Sequence, residues 1–581
     1  MPKYENQWIQ TRYNALWNRF GKNKFTSEDA ASVLKEMGDQ ENTVWVVLAE
    51  LRKRGQLVSE PDPKDSRKSI YQLKSVAEYL DTDLTRGDLE GLLKKAADLI
   101  RTRVDYKFIL ILLFLKRASD KWKQEFEVQY ERVRKEGYSE EEAREEAKAS
   151  VYHEYDIPEE YLWDNIRKDV SALPERLAKA LKSIAEANPE LKNVIDADFI
   201  QFASSENSEI LRQLVELFSS KSLRNVSPDV LGDAYEWILR YFLPQKGKEG
   251  EIYTPREITK LLADILDPRA GESVYDPACG TGGMLIYSYL HVRDKFGEKE
   301  AQRLSLYGQE LNPTIFALCK MNLLLHGIRD NEIEQGDTLL SPKFKSNNNT
   351  LKRFDVVMAN PPWNQDGYDE NVLKSGDFWQ ERFGNGFTPR QSADWAWIQH
   401  MLASADEKNG RVGVVIDNGA LFRGGKEKAI RQKFMVPEND LLECVILLPE
   451  KLFYNTGAPG AIMIFNKNKS EERKGKVLFI NASNEYKQHP EVRRLNWLAP
   501  ENIKKIVETH GSFKEIEGFS KVVSLDKIKE NDYNLNVSLY VAPKEETERI
   551  DIEKEWGALQ KIEMELSEVE KKLDEWLKEV K

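Results

Sequence analysis

Apolar residues near the start of the chain mark one face of a helix: Trp8, Tyr13, Leu16, Trp17 and Phe20. Ser27 is a plausible cap for a short second helix carrying Ala30, Val33 and Leu34. Thr43 opens a third, through Val44, Val47, Leu48 and Leu51, that stops at Gly55. Two strand-like pieces follow, Leu57-Val58 and Ile70-Tyr71-Gln72-Leu73, around the charged turn Pro61-Asp62-Pro63-Lys64-Asp65. Helical spacing then returns in Leu89, Leu92, Leu93, Ala96 and Ile100, and apolar residues run without a break from Ile109 to Leu115.

The first eighty residues therefore predict three helices and a two-stranded wing, a winged-helix-like unit. Such a unit contacts DNA through its third helix and wing, or docks a protein. The few exposed basic residues, Arg52, Lys53 and Arg54, leave both readings open. Residues 81–245 read as a helical domain. A membrane span needs about 20 apolar residues, so Ile109–Leu115, bounded by Lys107 and Lys116, reads as a buried helix segment. Residues 138–150 form a charged, solvated helix face, and Pro244–Gly250 a linker or mobile loop.

Beyond the linker the pattern changes. Short apolar runs alternate with helical stretches at Ser273–Tyr275, Leu306–Gly308, Phe354–Ala359, Val412–Ile416, Cys444–Leu448 and Ile462–Phe465. That alternation predicts an α/β fold with a doubly wound, mainly parallel sheet over residues 246–500. In the last region, 501–581, Leu559, Ile562, Leu566, Val569, Leu573, Trp576 and Val580 alternate spacings of three and four. This is a heptad seam flanked by Glu and Lys, suited to a partner helix or to folding back on its own domain.

Composition narrows the setting. With 581 residues, 40% hydrophobic and 32% charged, the chain is too long for one core and ordinary for a globular protein. Three widely spaced cysteines, Cys279, Cys319 and Cys444, predict neither disulfides nor a metal site. The cysteine pattern fits a reducing cytoplasm, the first thirty residues show no signal-peptide pattern, and no membrane partner is expected. A net charge of −12 argues against gripping DNA over the whole surface. A nucleic-acid enzyme so charged would borrow affinity from a partner.

The chemistry concentrates after three strands. Val274-Tyr275-Asp276-Pro277-Ala278-Cys279-Gly280-Thr281-Gly282-Gly283-Met284 is a strand entering a glycine-rich turn and then a helix. Glycines there let backbone approach a ligand and present amides at a helix start. No Gly-Lys-Ser/Thr ending follows, and Asp276 would repel phosphates while suiting a methionine amino group. Glu310, after the next strand, is placed to accept hydrogen bonds from ribose hydroxyls, and Asp337, after a third, to meet an adenine ring. Then comes Asn360-Pro361-Pro362-Trp363, directly after a strand. The exocyclic amine of adenine is a poor nucleophile, because its lone pair is delocalised into the ring. An Asn oxygen and a prolyl carbonyl can accept its hydrogens and aim the lone pair at a sulfonium methyl, with no deprotonating base. The prolines fix those acceptors beforehand, and the aromatic ring stacks a base swung out of the duplex.

This order of motifs resembles the amino-methylating DNA methyltransferases, with their Rossmann-like, S-adenosylmethionine-dependent fold. The wider chain is similar to the modification subunit of type I restriction-modification systems. The likeness runs over roughly residues 84–540, in Asp98–Asp120, Val230–Tyr241, Gly250–Thr259, Asp276–Gly283, Asn360–Trp363, Leu421–Lys426 and Leu447–Gly457. It implies methylation of adenine N6 in double-stranded DNA with S-adenosylmethionine. The methionine end of that cofactor would be held by Tyr253, Thr254 and Pro255, with Ile252 and Arg256 beside them. The glycine turn would contribute Asp276, Ala278, Gly280, Thr281, Gly282 and Gly283, the ribose acid would be Glu310 and the adenine-side acid Asp337. The resemblance also implies a specificity subunit as partner, a second copy of the chain, and a restriction subunit. Two departures stand out. Trp363 occupies a place where the family has Phe or Tyr, and Ile416-Asp417-Asn418-Gly419 lacks the family's proline.

Three other readings use the same residues: methylation of cytosine N4, methylation of a protein glutamine, and a non-catalytic DNA-binding scaffold. Asn360 leans toward adenine over the Ser typical of cytosine enzymes. The long helical region and heptad tail favour DNA over protein. The intact Asn360, Asp276 and Glu310 argue against a scaffold.

Overall fold

The computed structural model describes residues 2–21, 23–53, 56–61, 69–74, 84–100, 106–168, 172–191, 194, 208–242, 254–454, 456–490, 492–542 and 552–579. The chain divides into two units, one of Met1–Val414 with Phe453–Gly457 and one of Val415–Leu452 with Ala458–Lys581.

In the first unit, helices α1 (Pro2–Phe20), α2 (Ser27–Glu36) and α3 (Glu41–Lys53) accompany a small antiparallel sheet. Its strands β1 (Phe25–Thr26), β2 (Leu57–Pro61) and β3 (Ser69–Leu73) lie in the order β1-β3-β2. Tyr13, Leu16, Leu34, Val47, Leu51 and Leu57 close a separate core. The third strand is two residues long, too short for periodicity to reveal. The cap of α2 is Thr26, one residue before the expected Ser27: Thr26 Oγ1 accepts from the Asp29 amide at 3.2 Å, and the Asp29 carboxylate accepts from the Thr26 amide at 2.8 Å. The turn expected at Pro61–Asp65 falls mostly outside the described residues.

The helical stretch includes α4 (Arg86–Ile100), α5 (Lys107–Lys135) and α6 (Pro228–Phe242). Ile109–Leu115 are buried in α5 as the apolar run predicts. No described helix is long and apolar enough to cross a membrane. The expected loop at 244–250 lies outside the described residues.

Helix α7 (Arg256–Leu266) leads to β4 (Ser273–Asp276), α8 (Gly283–Phe296), β5 (Ser305–Glu310), α9 (Pro313–Leu325) and β6 (Asn331–Gln335). β7 (Val356–Ala359), α10 (Asp394–Ala403) and β8 (Arg411–Asp417) follow. Ile315, Leu318 and Met321 of α9 join the core of the helical stretch. The strands are parallel and ordered β8-β7-β4-β5-β6. The chain winds outward from β4 through β5 to β6, then returns to place β7 on the other side of β4. That reversal opens a crevice at the carboxyl ends of β4 and β7, where doubly wound sheets bind ligands. Val274 and Val356–Ala359 are buried on both faces, as in parallel strands covered by helices.

The second unit, whose boundary cuts β8 at Val414 and Val415, holds β9 (Leu442–Leu447), β10 (Gly460–Asn466), β11 (Lys476–Asn481), the pair β12 (Lys487–Gln488) and β13 (Asn496–Trp497), and β14 (Ser520–Ser524). Its main strands run in the order β14-β11-β9-β10, with β9 and β11 parallel and the outer pairings antiparallel. All six strands expected after residue 250 are present. The helix α11 (Ile552–Glu579) carries the heptad seam, and Leu559, Ile562, Leu566, Val569, Leu573 and Trp576 are 47–66% exposed along it. Val580 lies outside the described residues.

Candidate active site

Asp276 ends β4 and is buried, its Oδ1 accepting from the Ala278 amide at 3.0 Å. The chain then turns through Gly280 (φ 53°) and Gly282 (φ 85°), left-handed conformations that favour glycine. A Cβ at Gly282 would stand 2.9 Å from Cys319 Sγ of α9, so close packing also demands glycine there. Neighbouring elements fix the turn. Cys279 donates its amide to Gln309 O at 3.0 Å, and Asn322 of α9 donates Nδ2 to Thr281 O at 2.9 Å. Thr338 donates its hydroxyl to Pro277 O at 2.7 Å.

Glu310, at the end of β5, accepts from the Gly280 amide at 3.0 Å and the Asn312 amide at 2.8 Å. Burial raises its pKa against the pull of those amides. Asp276 is pushed up to about 8, first by burial and then by the nearby Glu310, with only the Ala278 amide opposing. Asp337 follows β6, its carboxylate accepting from Tyr368 Oη at 2.8 Å and from the Leu340 amide at 3.2 Å.

Asn360 follows β7. Its Nδ2 donates to Thr254 Oγ1 at 3.0 Å, and its Oδ1 accepts from Trp363 Nε1 at 3.0 Å. Pro361 is buried and Pro362 exposed. The Trp363 ring meets Phe453 edge-on, centroids 4.8 Å apart at 69°. Beyond the turn, Asn364 (φ 51°) donates its amide to Asp394 Oδ1 at 2.9 Å, and Ala393 donates its amide to Gln365 O at 2.8 Å. The start of α10 thus braces the turn.

Thr254, Arg256, Asp276, Ala278, Thr281, Gly283 and Asn360 line one pocket. Gly280, Gly282, Glu310 and Asp337 do not line it; Glu310 joins it through the Gly280 amide. Pro255, Pro361, Pro362 and Trp363 also lie outside its lining. Ile252 and Tyr253 fall outside the described residues.

The pocket also holds Glu236, Thr259, Cys279, Met284 and Tyr287, which motif reading passed over. Glu236 comes from α6, outside the α/β region. Arg256, expected near the cofactor, turns its Nε to Glu236 and its Nη1 to Asp233 at 2.8 Å. The signal was the stretch Leu231-Gly232-Asp233-Ala234-Tyr235-Glu236. A Cβ at Gly232 would fall 2.1 Å from the His326 ring, and Tyr235 donates its hydroxyl to Leu318 O at 2.9 Å.

A doubly wound sheet with a buried acid and glycine turn at its switch point, beside an Asn-Pro-Pro-aromatic turn, defines a Rossmann-like methyltransferase. The family described as N-6 DNA methylase matches residues 226–549, and the HsdM N-terminal domain matches residues 89–218. The chain is similar to two type I restriction enzyme methylase subunits of Methanocaldococcus jannaschii. The MjaVII subunit is 46% identical, covering 99% of this chain and 96% of its own length. The MjaVIII subunit is 43% identical, covering 98% and 97%. Among solved structures, the type I restriction-modification methyltransferase subunit from Streptococcus thermophilus superposes with a TM-score of 0.68 at 27% identity, over 79% of this chain and 100% of that one. The chain belongs to the N-6 DNA methylase family, among the methylase subunits of type I restriction enzymes. It is an adenine-specific DNA methyltransferase, which sets aside the cytosine, protein-glutamine and scaffold readings.

Proposed function

We propose that the pocket at the ends of β4 and β7 binds S-adenosylmethionine and that Asn360 and Pro361 present the target adenine amine to it. The observation that carries this reading is that Asn360 shares one pocket with Asp276 and Thr281. The donor set fits the cofactor. Asp276, a buried carboxyl held up near 8, is relieved by an ammonium group placed beside it. The left-handed glycines let backbone come close to the ligand. Thr254, Pro255 and Arg256, with Ile252 and Tyr253, take the methionine end, Glu310 the ribose hydroxyls and Asp337 the adenine ring. When bound, S-adenosylmethionine supplies a methyl group on a sulfonium.

The chain's residues do the rest. Asn360 Oδ1 and the Pro361 carbonyl accept the two hydrogens of the adenine amine and direct its lone pair. Trp363 stacks the flipped base. The proton released on transfer goes to solvent; the side-chain partners of Asn360 among the described residues, Thr254 and Trp363, are not bases.

The assembly is double-stranded DNA, a specificity subunit, a second copy of this chain and a restriction subunit. The net charge of −12 supports recognition by a partner. The exposed seam of α11 supports the specificity subunit as the surface it packs on.

Asn360→Ala tests the core of this reading. It removes an acceptor used mainly as the amine attacks, so turnover should fall by about 10³-fold or more. Cofactor affinity, measured by calorimetry, should stay within about twofold. Near-normal turnover in that variant overturns the assignment.

A further inference from the structure

The Asn360 amide is gripped at both ends. Thr254 Oγ1 receives its Nδ2–H at 3.0 Å, and the Trp363 indole gives its N–H to Oδ1 at 3.0 Å. An indole nitrogen only donates, so a reversed amide would set its own N–H against the indole N–H. The two contacts together allow one orientation. Phe or Tyr, the residues the family resemblance leads one to expect at position 363, offer no ring N–H there.

We propose that Trp363 and Thr254 are positioning residues that lock the Asn360 oxygen toward the target amine. The proposal rests on the role given to Asn360 above and extends it. A carbonyl oxygen has two lone pairs, so accepting the indole N–H leaves one for the adenine amine. An acceptor already oriented needs no rearrangement when charge develops on the nitrogen. The indole is itself held. Its ring abuts Phe453, and the next residue, Asn364, is tied by its amide to the buried Asp394 carboxylate. Thr254 also lines the cofactor pocket, so one hydroxyl touches both that pocket and the amide that orients the base. The rival account makes the indole contact a resting-state cap that the entering base displaces. Under that account, removing the N–H raises the rate or leaves it unchanged.

The test uses the full chain co-purified with its specificity partner, saturating tritiated S-adenosylmethionine and unmethylated genomic DNA. Trp363 is replaced by benzothienylalanine, which keeps the bicyclic ring and exchanges N–H for sulfur. The single-turnover rate should fall about tenfold, the kinetic equivalent of one hydrogen bond. KM for DNA should stay within about twofold, because the stacking surface is retained. Trp363→Phe should lose rate and also raise that KM. Thr254→Val should lower the rate by about the same factor at saturating cofactor, and Thr254→Ser should restore most of it. A benzothienylalanine enzyme at or above the normal rate, with Asn360→Ala inactive, overturns the positioning role alone. Activity in Asn360→Ala overturns the reading beneath it, and this one with it.

Discussion

The turn after β4 and the turn after β7 contribute to one pocket, yet the chain holds them in opposite ways. The first is flexible in sequence and gripped from outside. Its glycines adopt left-handed φ, and Gln309, Glu310, Asn322 and Thr338 fix its backbone through amides and carbonyls. The second is stiff in sequence and gripped through a side chain. Two prolines set its path, and Asn360 is held by Thr254 and Trp363. The difference teaches where damage should register. A backbone surface shaped to approach a ligand fails as lost binding; an oriented side-chain acceptor fails as lost turnover.

The largest effect expected at the first turn is from Gly282→Ala. It forces an L side chain into φ 85° and sets a Cβ 2.9 Å from Cys319 Sγ, together about 2–4 kcal/mol. Cofactor affinity and the urea midpoint should both drop. Adding Cys319→Ala relieves the contact but leaves the dihedral, so about half the loss should return. Full recovery in the double variant would remove the backbone argument for this glycine.

Glu310→Ala should cost less, about 1.5–3 kcal/mol of cofactor binding, for a charge-assisted pair to ribose. Turnover at saturating cofactor should change little. A variant that binds normally by calorimetry refutes the ribose assignment, and one that binds normally but turns over slowly would make the β4 side of the site behave like the β7 side.

Legibility in the sequence followed the same division. The strands around the site were readable because each is a short apolar run between turn signals. Of the other strands after residue 250, β12 and β13 are two residues each, too short to show a pattern, and β6, β11 and β14 fall outside the named runs, β6 being implied only by its place before Asp337. β6, Asn-Glu-Ile-Glu-Gln, is an edge strand that buries only Ile333, and β14, Ser-Lys-Val-Val-Ser, edges the second unit's sheet. β11 holds the apolar run Val477–Ile480, visible in the sequence but left unassigned. Motif spacing singled out Asp276 and Asn360, which line one pocket, and Gly280 and Glu310, which bond each other beside it, since each stands at or after a strand end. It missed Glu236, which reaches the pocket from a helix that precedes the sheet, and Asn322 and Thr338, whose work is to bond backbone carbonyls. Asn322 and Thr338 carry no local pattern, whereas Glu236 lies in the stretch Val230–Tyr241 through which the family resemblance runs. The indole–amide bond was equally hidden, because Trp363 reads from sequence only as a ring.

The smallest effect concerns protons. Without a cation beside it, Asp276 holds its proton up to about pH 8, because burial and the neighbouring Glu310 penalise its charge. An ammonium group of the bound cofactor would favour the carboxylate, so binding should release a proton wherever Asp276 begins protonated. Affinity therefore rises with pH toward about 8 and levels off above it. For a single group of that pKa the gain from pH 7 to pH 8 is about fivefold, near 1 kcal/mol. The sign for folding runs the other way. A folded-state pKa raised above the unfolded value contributes stability that is present below about pH 4 and lost as pH climbs through about 8. The ligand-free chain should thus lose stability over that window, while the upward shift in Tm caused by cofactor should grow across it. Calorimetry in buffers of different ionisation enthalpy reads the proton directly, and Asp276→Asn should abolish both the release and its pH dependence. Cofactor binding that takes up protons, or that is flat from pH 6.5 to 8.5, would mean the carboxyl stays neutral beside the ligand and that Asp276 donates to it as an acid rather than pairing with its ammonium.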